Sequence, residues 1–331
     1  MDEFRNKSVL ITGGLGFIGS NLAIKLVNAG AEVTVIDNML DNHGGNIFNI
    51  EPVKDKIHTN FGDINSESVM NHVVRGKDYI FHLAGQVSHV LSLSDPFPDI
   101  DINIKGTAIL AEACRKFNKD AVIIYSGTRG AYGSCVKLPV SEDAPTNPKG
   151  IHEIANLTAE KILKVYNDIH GVRSVVLRLT NIYGPRAQML HHHYGVVNWF
   201  IRLAIDDQTI KVFGDGSILR DVLYVDDCID AMLKCAVCEQ GHGEIFNVGV
   251  DRPISFRELV EKIIKAAGCG SWEFAPFSAE RKAQDPGDFY SDIAKIKKYT
   301  GWTPCTSVED GLAKTIEYYR KYKQFYWGRT I

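Results

Sequence analysis

The chain has 331 residues, 45% of them hydrophobic and 23% charged, a composition that buries a sizeable core and excludes a disordered chain. Its formal net charge is −3, with lysine and arginine scattered along the sequence, so no basic face for nucleic acid or an anionic membrane is expected, and the partners implied are small molecules or copies of itself. The N-terminal MDEFRNKSVLITGG runs from a short charged lead straight into a strand pattern, with no secretory apolar core and no stretch long enough to span a bilayer, which points to the cytoplasm.

In chain order, KSVLIT, AEVTVID, IHTNFGD, DYIFHLAG and AVIIYSG each read as a buried strand, and residues 17 to 29, 66 to 75 and 99 to 117 carry helical spacing between them. A helix near 150 to 169 and the strand VRSVVLRL continue the alternation. Repeated βα units predict an α/β fold with a Rossmann-type, doubly wound parallel sheet whose ligand crevice lies at the carboxyl ends of the strands. Past residue 185 the pattern turns irregular, as expected of a smaller C-terminal α/β lobe. Residues 1–180 therefore read as a dinucleotide-binding domain, with a return segment near 221–248, and 181–331 as the substrate lobe.

Immediately after the first strand stands GGLGFIGS, with Gly13, Gly16 and Gly19 spaced GxxGxxG and Phe17 and Ile18 opening the helix. Glycine suits this turn because it permits the sharp reversal, the close approach of a pyrophosphate and tight helix–sheet packing, while the helix N-terminus faces the phosphates. Asp37 ends the second strand 18 residues after Gly19, followed by Asn38. A carboxylate there accepts the adenine-ribose hydroxyls and repels a 2′-phosphate, so NAD is expected over NADP. Asp63 and Ile64, in NFGDI at the end of the third strand, are expected beside the adenine. The seven cysteines, odd in number and dispersed, do not read as a disulfide framework. Cys235 and Cys238, a lone CxxC in an apolar helical run, lack the further ligands zinc requires.

With these residues placed, the chain resembles the NAD-dependent nucleotide-sugar epimerase/dehydratase family of extended short-chain dehydrogenase/reductases. The likeness rests on blocks in the same order: FHLAGQVS (81–88), DPFPDIDINIKGT (95–107), YSGTRGAYG (125–133), RLTNIYGPR (178–186), VFGDGSILRDVLYVDD (212–227), FNVG (246–249) and the closing ERKAQDPGDFYSDIAKIKKYTGWTP. The resemblance implies that Leu83, Ala84 and Gly85 line the dinucleotide, that Asn103 supports the ribose, and that Thr128 is the catalytic hydroxyl on the sugar oxygen. It also puts Gln86, Arg129, Asn181, Asn198, Val212, Arg220 and Arg281 against a nucleotide-diphosphate sugar, the arginines neutralising its phosphates. Members that eliminate water or carboxylate carry an acid shortly after that Ser/Thr. Here Arg129 and Gly130 follow it, which favours reversible oxidation with hydride return, as in an epimerase. The family's dimerisation implies a homodimer through the helices near 99–117 and 150–169, where Ile154, Leu157, Ile162 and Val165 are apolar.

The family's Tyr and Lys, four residues apart on the next helix, fall here on His152 and Asn156. That spacing keeps both on one face, towards the nicotinamide. The Lys normally stabilises a tyrosinate whose ordinary pKa is near 10, whereas a neutral imidazole needs no such cation. Asn156 retains a hydrogen bond to the ribose on a shorter arm. Imidazole Nε2, however, falls roughly 2 Å short of a phenol oxygen, outside direct hydrogen-bond reach unless the substrate sits deeper or a water intervenes. Three readings stay open: His152 as acid/base, an acid/base from elsewhere such as Glu153 or one of His191, His192 and His193, or a site that binds without turnover. Tyr319 and Lys323 form the one YxxxK in the chain, and chance in a Tyr- and Lys-rich helix explains it.

Overall fold

The computed structural model describes residues 2–41, 43–135, 137–277 and 287–328. Its first half follows the expected alternation: β1 (Ser8–Thr12), α1 (Phe17–Asn28), β2 (Glu32–Asp37), β3 (Ile57–Phe61), α2 (Glu67–Val73), β4 (Tyr79–His82), α3 (Leu91–Ser94), α4 (Thr107–Phe117), β5 (Val122–Thr128), α5 (Ile151–His170) and β6 (Ser174–Leu179). The C-terminal part adds β7 (Asn181–Tyr183), α6 (Val196–Ile205), β8 (Thr209–Phe213), β9 (Leu219–Arg220), β10 (Val222–Tyr224), α7 (Val225–Ala236), β11 (Ile245–Val248), β12 (Ile254–Ser255), α8 (Phe256–Ala267), β13 (Ser271–Ala275), α9 (Ala294–Thr300) and α10 (Val308–Tyr322). The helix expected over 99–117 begins as a π-helical stretch, Asp99–Gly106, before α4. Its wider turns put Asp99 and Asn103 in the interior, and such π segments recur at functional sites.

Seven parallel strands form the main sheet in the order β11-β6-β5-β4-β1-β2-β3. The chain winds outward from β1 in both directions, so the fold is the doubly wound α/β class expected, with its switch point between β1 and β4. Strand alternation assigns the layers. Val9 and Ile11 of β1 pack with Val33, Val35, Leu22 of α1 and Ile229 of α7. Leu10 faces the opposite way and packs with Ile36, Ile80, Met70 of α2, Leu110 of α4 and Leu163 of α5. Three two-stranded sheets, β10-β7, β12-β9 and β13-β8, build the C-terminal part.

Helix α5, which carries His152 and Asn156, is pinned to the sheet by a buried ion pair. Arg178 of β6 donates from Nε to Glu160 Oε2 at 2.9 Å and from Nη2 to Oε1 at 2.7 Å, a two-point contact that fixes the helix in rotation as well as distance. Gly171 ends α5 in the left-handed conformation (φ +69°), as a C-cap glycine does. Among the described residues, no helix is long and apolar enough to cross a membrane.

Candidate active site

A cleft opens at the carboxyl ends of β1, β2 and β4. Gly13, Gly16, Phe17, Ile18, Gly19, Asp37, Asn38, Ile64, Leu83, Ala84, Gly85 and Asn103 all line it. Gly13 holds φ +68°, and a Cβ there would lie 2.8 Å from the Ala84 nitrogen, filling the floor; a Cβ on Gly19 would run into the Gly13 carbonyl. Asp37 accepts from the backbone N–H groups of Leu15 (3.1 Å) and Met39 (3.0 Å). Burial pushes its carboxyl above the ordinary value, and these two N–H groups oppose that rise. Two of the four acceptor positions of the carboxylate are thereby engaged, leaving capacity for a diol. Asp63 is exposed, bonded to Asn38 Nδ2 at 3.4 Å, and stands outside the lining that Ile64 and Gly62 contribute.

The floor rests on His82, a fully buried histidine that sequence reasoning passed over. Thr107 Oγ1 donates to the Asn103 carbonyl (2.6 Å), so it accepts from His82 Nε2 at 3.0 Å. His82 Nδ1 must then accept from Thr12 Oγ1 at 2.8 Å. Thr12 Oγ1 in turn accepts from the backbone N–H groups of Leu83 and Ala84, both at 3.1 Å. This chain requires a neutral ring, and burial pushes the His82 pKa down to about 4.

His152 and Asn156 are brought together on the inner face of α5 and both line the same cleft. Both are buried. His152 Nδ1 lies 3.1 Å from Asp99 Oδ1, and Asp99 also accepts from Asn103 Nδ2 (3.2 Å) and Gln86 Nε2 (3.1 Å). Gln86, expected on the substrate, turns its side chain to this interior network instead, because a fully buried carboxylate demands donors. Asn156 donates from Nδ2 to the His152 carbonyl (2.9 Å) and accepts at Oδ1 from the Tyr125 hydroxyl (3.0 Å). Its amide N–H groups thus face the protein rather than an open ribose site.

A second carboxylate–imidazole pair stands beside the first. His89, in the loop between β4 and α3, places Nδ1 2.5 Å from Glu153 Oε1, and its ring meets that of His152 edge to face, centroids 4.7 Å apart. Burial works to raise the Glu153 pKa, yet the hydrogen bond and charge of His89 hold it below the usual value. Two glycines make the room: a Cβ on Gly130 would lie 2.6 Å from Glu153 Cγ, and one on Gly150 would strike Glu153 Oε2.

Beyond this pair a larger cleft of about 710 Å³ opens, lined by Arg129, Asn181, Val212, Arg220, Phe256 and Phe277 among others, a size suited to a small organic ligand. Thr128, Asn181 and His89 line both clefts. Thr128 Oγ1 accepts from Gly130 N–H at 3.0 Å, which leaves its own proton to be donated. Arg220 is buried, donates to the Gly287 carbonyl at 2.5 Å and lies over the Phe256 ring. Asn198 accepts from Gly184 N–H (3.1 Å) and faces the first cleft rather than the second. Arg281 falls outside the described residues. His192 lines the second cleft. Its ring and that of His191 each pack against His193, and among the described residues no group of His, Cys, Asp and Glu could hold a metal ion. Tyr319 is fully buried on α10 rather than α5, donating to the Ala187 carbonyl at 2.9 Å, and Lys323 pairs with Asp206.

Residues 9–249 match the NAD dependent epimerase/dehydratase family, and the chain belongs to it: an enzyme of that family, with NAD as its cofactor. It is 34% identical over 319 residues to the UDP-glucose 4-epimerase of Mycolicibacterium smegmatis, covering 95% of this chain and 99% of that one. It is 30% identical over 324 residues to the dTDP-glucose 4,6-dehydratase of Streptomyces griseus, covering 96% and 95%. The crystal structure of UDP-glucose 4-epimerase from Thermotoga maritima, with UDP-glucose, superposes with a TM-score of 0.85 at 33% identity, over 96% of this chain and 99% of that one. The first cleft suits the cofactor: its glycine floor admits backbone contact where any Cβ would intrude, and Asp37 retains acceptors at the end of β2.

The sequence offered little sign of His89, Asp99 or Tyr194. Tyr194 lines the cofactor cleft, its hydroxyl buried without a hydrogen-bond partner among the described residues, and burial together with the Asp99 charge pushes its phenol up to about 12. A histidine directly after FHLAGQVS, in a loop leaving the central strand, was the one available pointer to His89.

Proposed function

We propose that this enzyme is a nucleotide-sugar epimerase that transiently oxidises a sugar hydroxyl, at C4, and returns the hydride to the opposite face. The observation that carries the reading is the meeting of the two clefts at Thr128, with imidazoles in place of a phenol beside it. Likeness over nearly the whole chain to UDP-glucose 4-epimerases supports C4 and the nucleotide-sugar class.

In this reading Gly13, Gly16 and Gly19 take the pyrophosphate at the start of α1, with Phe17 and Ile18 closing over it. Asp37 and Asn38 take the adenine ribose, Asp63 and Ile64 flank the adenine, and Leu83, Ala84, Gly85 and Asn103 border the nicotinamide ribose. Bound there, NAD supplies a reversible hydride acceptor. Asn181 and Arg220 take the diphosphate, Arg129 and Val212 border the nucleotide, and Thr128 donates its hydroxyl proton to the sugar oxygen. An imidazole handles the substrate proton: His152, fixed by Asp99, presents one from α5, and His89 presents another packed against it. The partner of His152 on the helix, Asn156, keeps the helix face together rather than replacing the missing cation.

Two copies pair through α4 and α5, a reading supported by the exposed Ile154, Val165 and Ile169 of α5. Light scattering at micromolar concentration tests it, and a monomer refutes it.

The function itself is tested by incubating the holoenzyme with UDP-, GDP-, CDP- and dTDP-sugars in deuterated water. Hydride return predicts inversion at one carbon without solvent deuterium on the sugar skeleton. Deuterium entering the skeleton would instead mark elimination, as in the dehydratase relatives. Sugars that bind yet never change, with no NADH absorbance, would sink the enzymatic reading in favour of binding without turnover.

A further inference from the structure

The altered α5 motif leaves the position of the acid/base open, and the junction of the two clefts offers a group from another element. We propose that His89, oriented by Glu153, takes the proton of the sugar hydroxyl and returns it, with His152 as a positioning residue behind it. This rests on the oxidation and hydride-return reading above.

Three features of His89 lead here. Its side chain is 57% exposed, against 7% for His152, and it lines both clefts together with Thr128, whereas His152 lines the cofactor cleft alone. Its loop is held: Ser88 Oγ accepts from Leu91 N–H (3.1 Å) and Ser92 Oγ donates to the His89 carbonyl (2.9 Å). Upstream, Gln86 Oε1 accepts from Ser88 N–H, and Gln86 itself is anchored to Asp99. A base on a loop so fixed does not need to be recruited by closure.

Glu153 supplies the orientation. A carboxylate can only accept, so its contact at 2.5 Å puts the proton of neutral His89 on Nδ1 and leaves Nε2 with a lone pair. The carboxylate also offsets the charge that appears on the ring once it is protonated, as in a carboxylate–histidine–hydroxyl arrangement. Glu153 also borders the second cleft, but its Oε1 is committed to His89 and its Oε2 is buried against Gly150, without a partner among the described residues.

The other groups near the junction are less suited. His152 has its Nδ1 on Asp99 and one ring edge against Asn156 Nδ2 at 3.4 Å, with His89 packed on the ring. The phenols of Tyr125 and Tyr194 line the cofactor cleft, and burial raises both, so each keeps its proton at neutral pH.

In the forward step the hydroxyl O–H bond breaks and its proton goes to His89 Nε2. The C–H electron pair leaves as hydride, with the oxidised nicotinamide of NAD as acceptor, and the C=O bond forms. Reversal on the other face of the ketone restores the alcohol and neutral His89.

Two measurements test this. In the unliganded, ¹⁵N-histidine-labelled protein, two-bond nitrogen–proton couplings should show His89 as the Nδ1–H tautomer, and Glu153→Gln should erase that preference. An Nε2–H tautomer in the native protein would overturn the proposal. In turnover, His89→Ala should lower kcat by about 10²- to 10⁴-fold with KM little changed, and added imidazole should restore part of it saturably. His152→Ala, if it loses activity, should not be rescued. An active wild type whose His89→Ala variant is equally active, or rescue confined to His152→Ala, would overturn the assignment and leave the epimerase reading standing. A wild type silent towards sugars that bind would overturn both.

Discussion

The floor of the cofactor cleft and its mouth are built from the same chemical pieces, histidines paired with acids or hydroxyls, yet they differ in what surrounds those pieces. On the floor, Asp99 is fully buried and satisfies three donors from three elements: His152 of α5, Asn103 of its own π-helical stretch and Gln86 of the β4 loop. At the mouth, Glu153 holds a single imidazole that is more than half exposed. A buried hub is energetically committed to structure, since removing it strands each donor, while a rim pair contributes little to stability and remains available for proton transfer. The sharpest test of that difference is Asp99→Ala. It should cost about 3–5 kcal/mol in chemical denaturation, whereas Glu153→Gln should cost less than about 1 kcal/mol. Comparable losses at the two sites would erase the distinction.

His82 extends the floor's character to pH. Its ring is neutral in the folded protein, with Nδ1 accepting from Thr12, and its folded pKa is about 4 against about 6.5 in an unfolded chain. Between those values the unfolded state binds the proton and the folded state does not, so stability falls as pH drops from about 6.5 to about 4 and is unaffected by this group above that window. The loss amounts to about 3 kcal/mol across the window. Denaturant midpoints measured at successive pH values should show it, and His82→Asn should flatten that part of the profile. Because the folded ring stays neutral down to about pH 4, the contacts of Thr12 with the N–H groups of Leu83 and Ala84, and with them NAD affinity, should hold through that window and weaken only as pH nears 4.

How far these two regions were legible in the sequence differs for a physical reason. The floor's backbone announces itself locally: β-branched runs, GGLGFIGS between a strand and a helix, and Asp37 at a strand end are patterns within a few tens of residues. The paired places His152 and Asn156 were legible through the family resemblance, which marks the two positions, and helical periodicity puts them on one face. What remained hidden were contacts made across the fold. His89 and Glu153 are 64 positions apart, and Asp99 and His152 are 53 apart. No spacing rule links them, and the use of Gln86 as an internal donor rather than a substrate ligand follows from Asp99 being buried. The glycine at 130 read as the loss of an acid; in the structure it is the space into which the Glu153 stem fits.

Asp37 tests the cofactor end of the same region with a smaller effect. Its carboxylate ties the glycine loop through Leu15 N–H and bears the charge that disfavours a 2′-phosphate. Asp37→Asn should weaken NAD binding by about tenfold, roughly 1.4 kcal/mol, and narrow the preference over NADP, as measured by fluorescence titration. An unchanged preference would remove Asp37 from cofactor selection.

The smallest change in stability should accompany the most local test of the mouth. Gly130 has ordinary backbone geometry, so alanine is tolerated by the chain itself. Its Cβ would nonetheless lie 2.6 Å from Glu153 Cγ, and the flexible glutamate is the group that must give way. Gly130→Ala should therefore cost only about 0.5–1 kcal/mol of stability, yet it displaces the carboxylate from His89 and should abolish the Nδ1–H preference of that ring while leaving NAD affinity intact. If the tautomer is indifferent to Gly130→Ala, the glycine's role is confined to the turn that follows Thr128, and the mouth is held together by something other than the fit of Glu153.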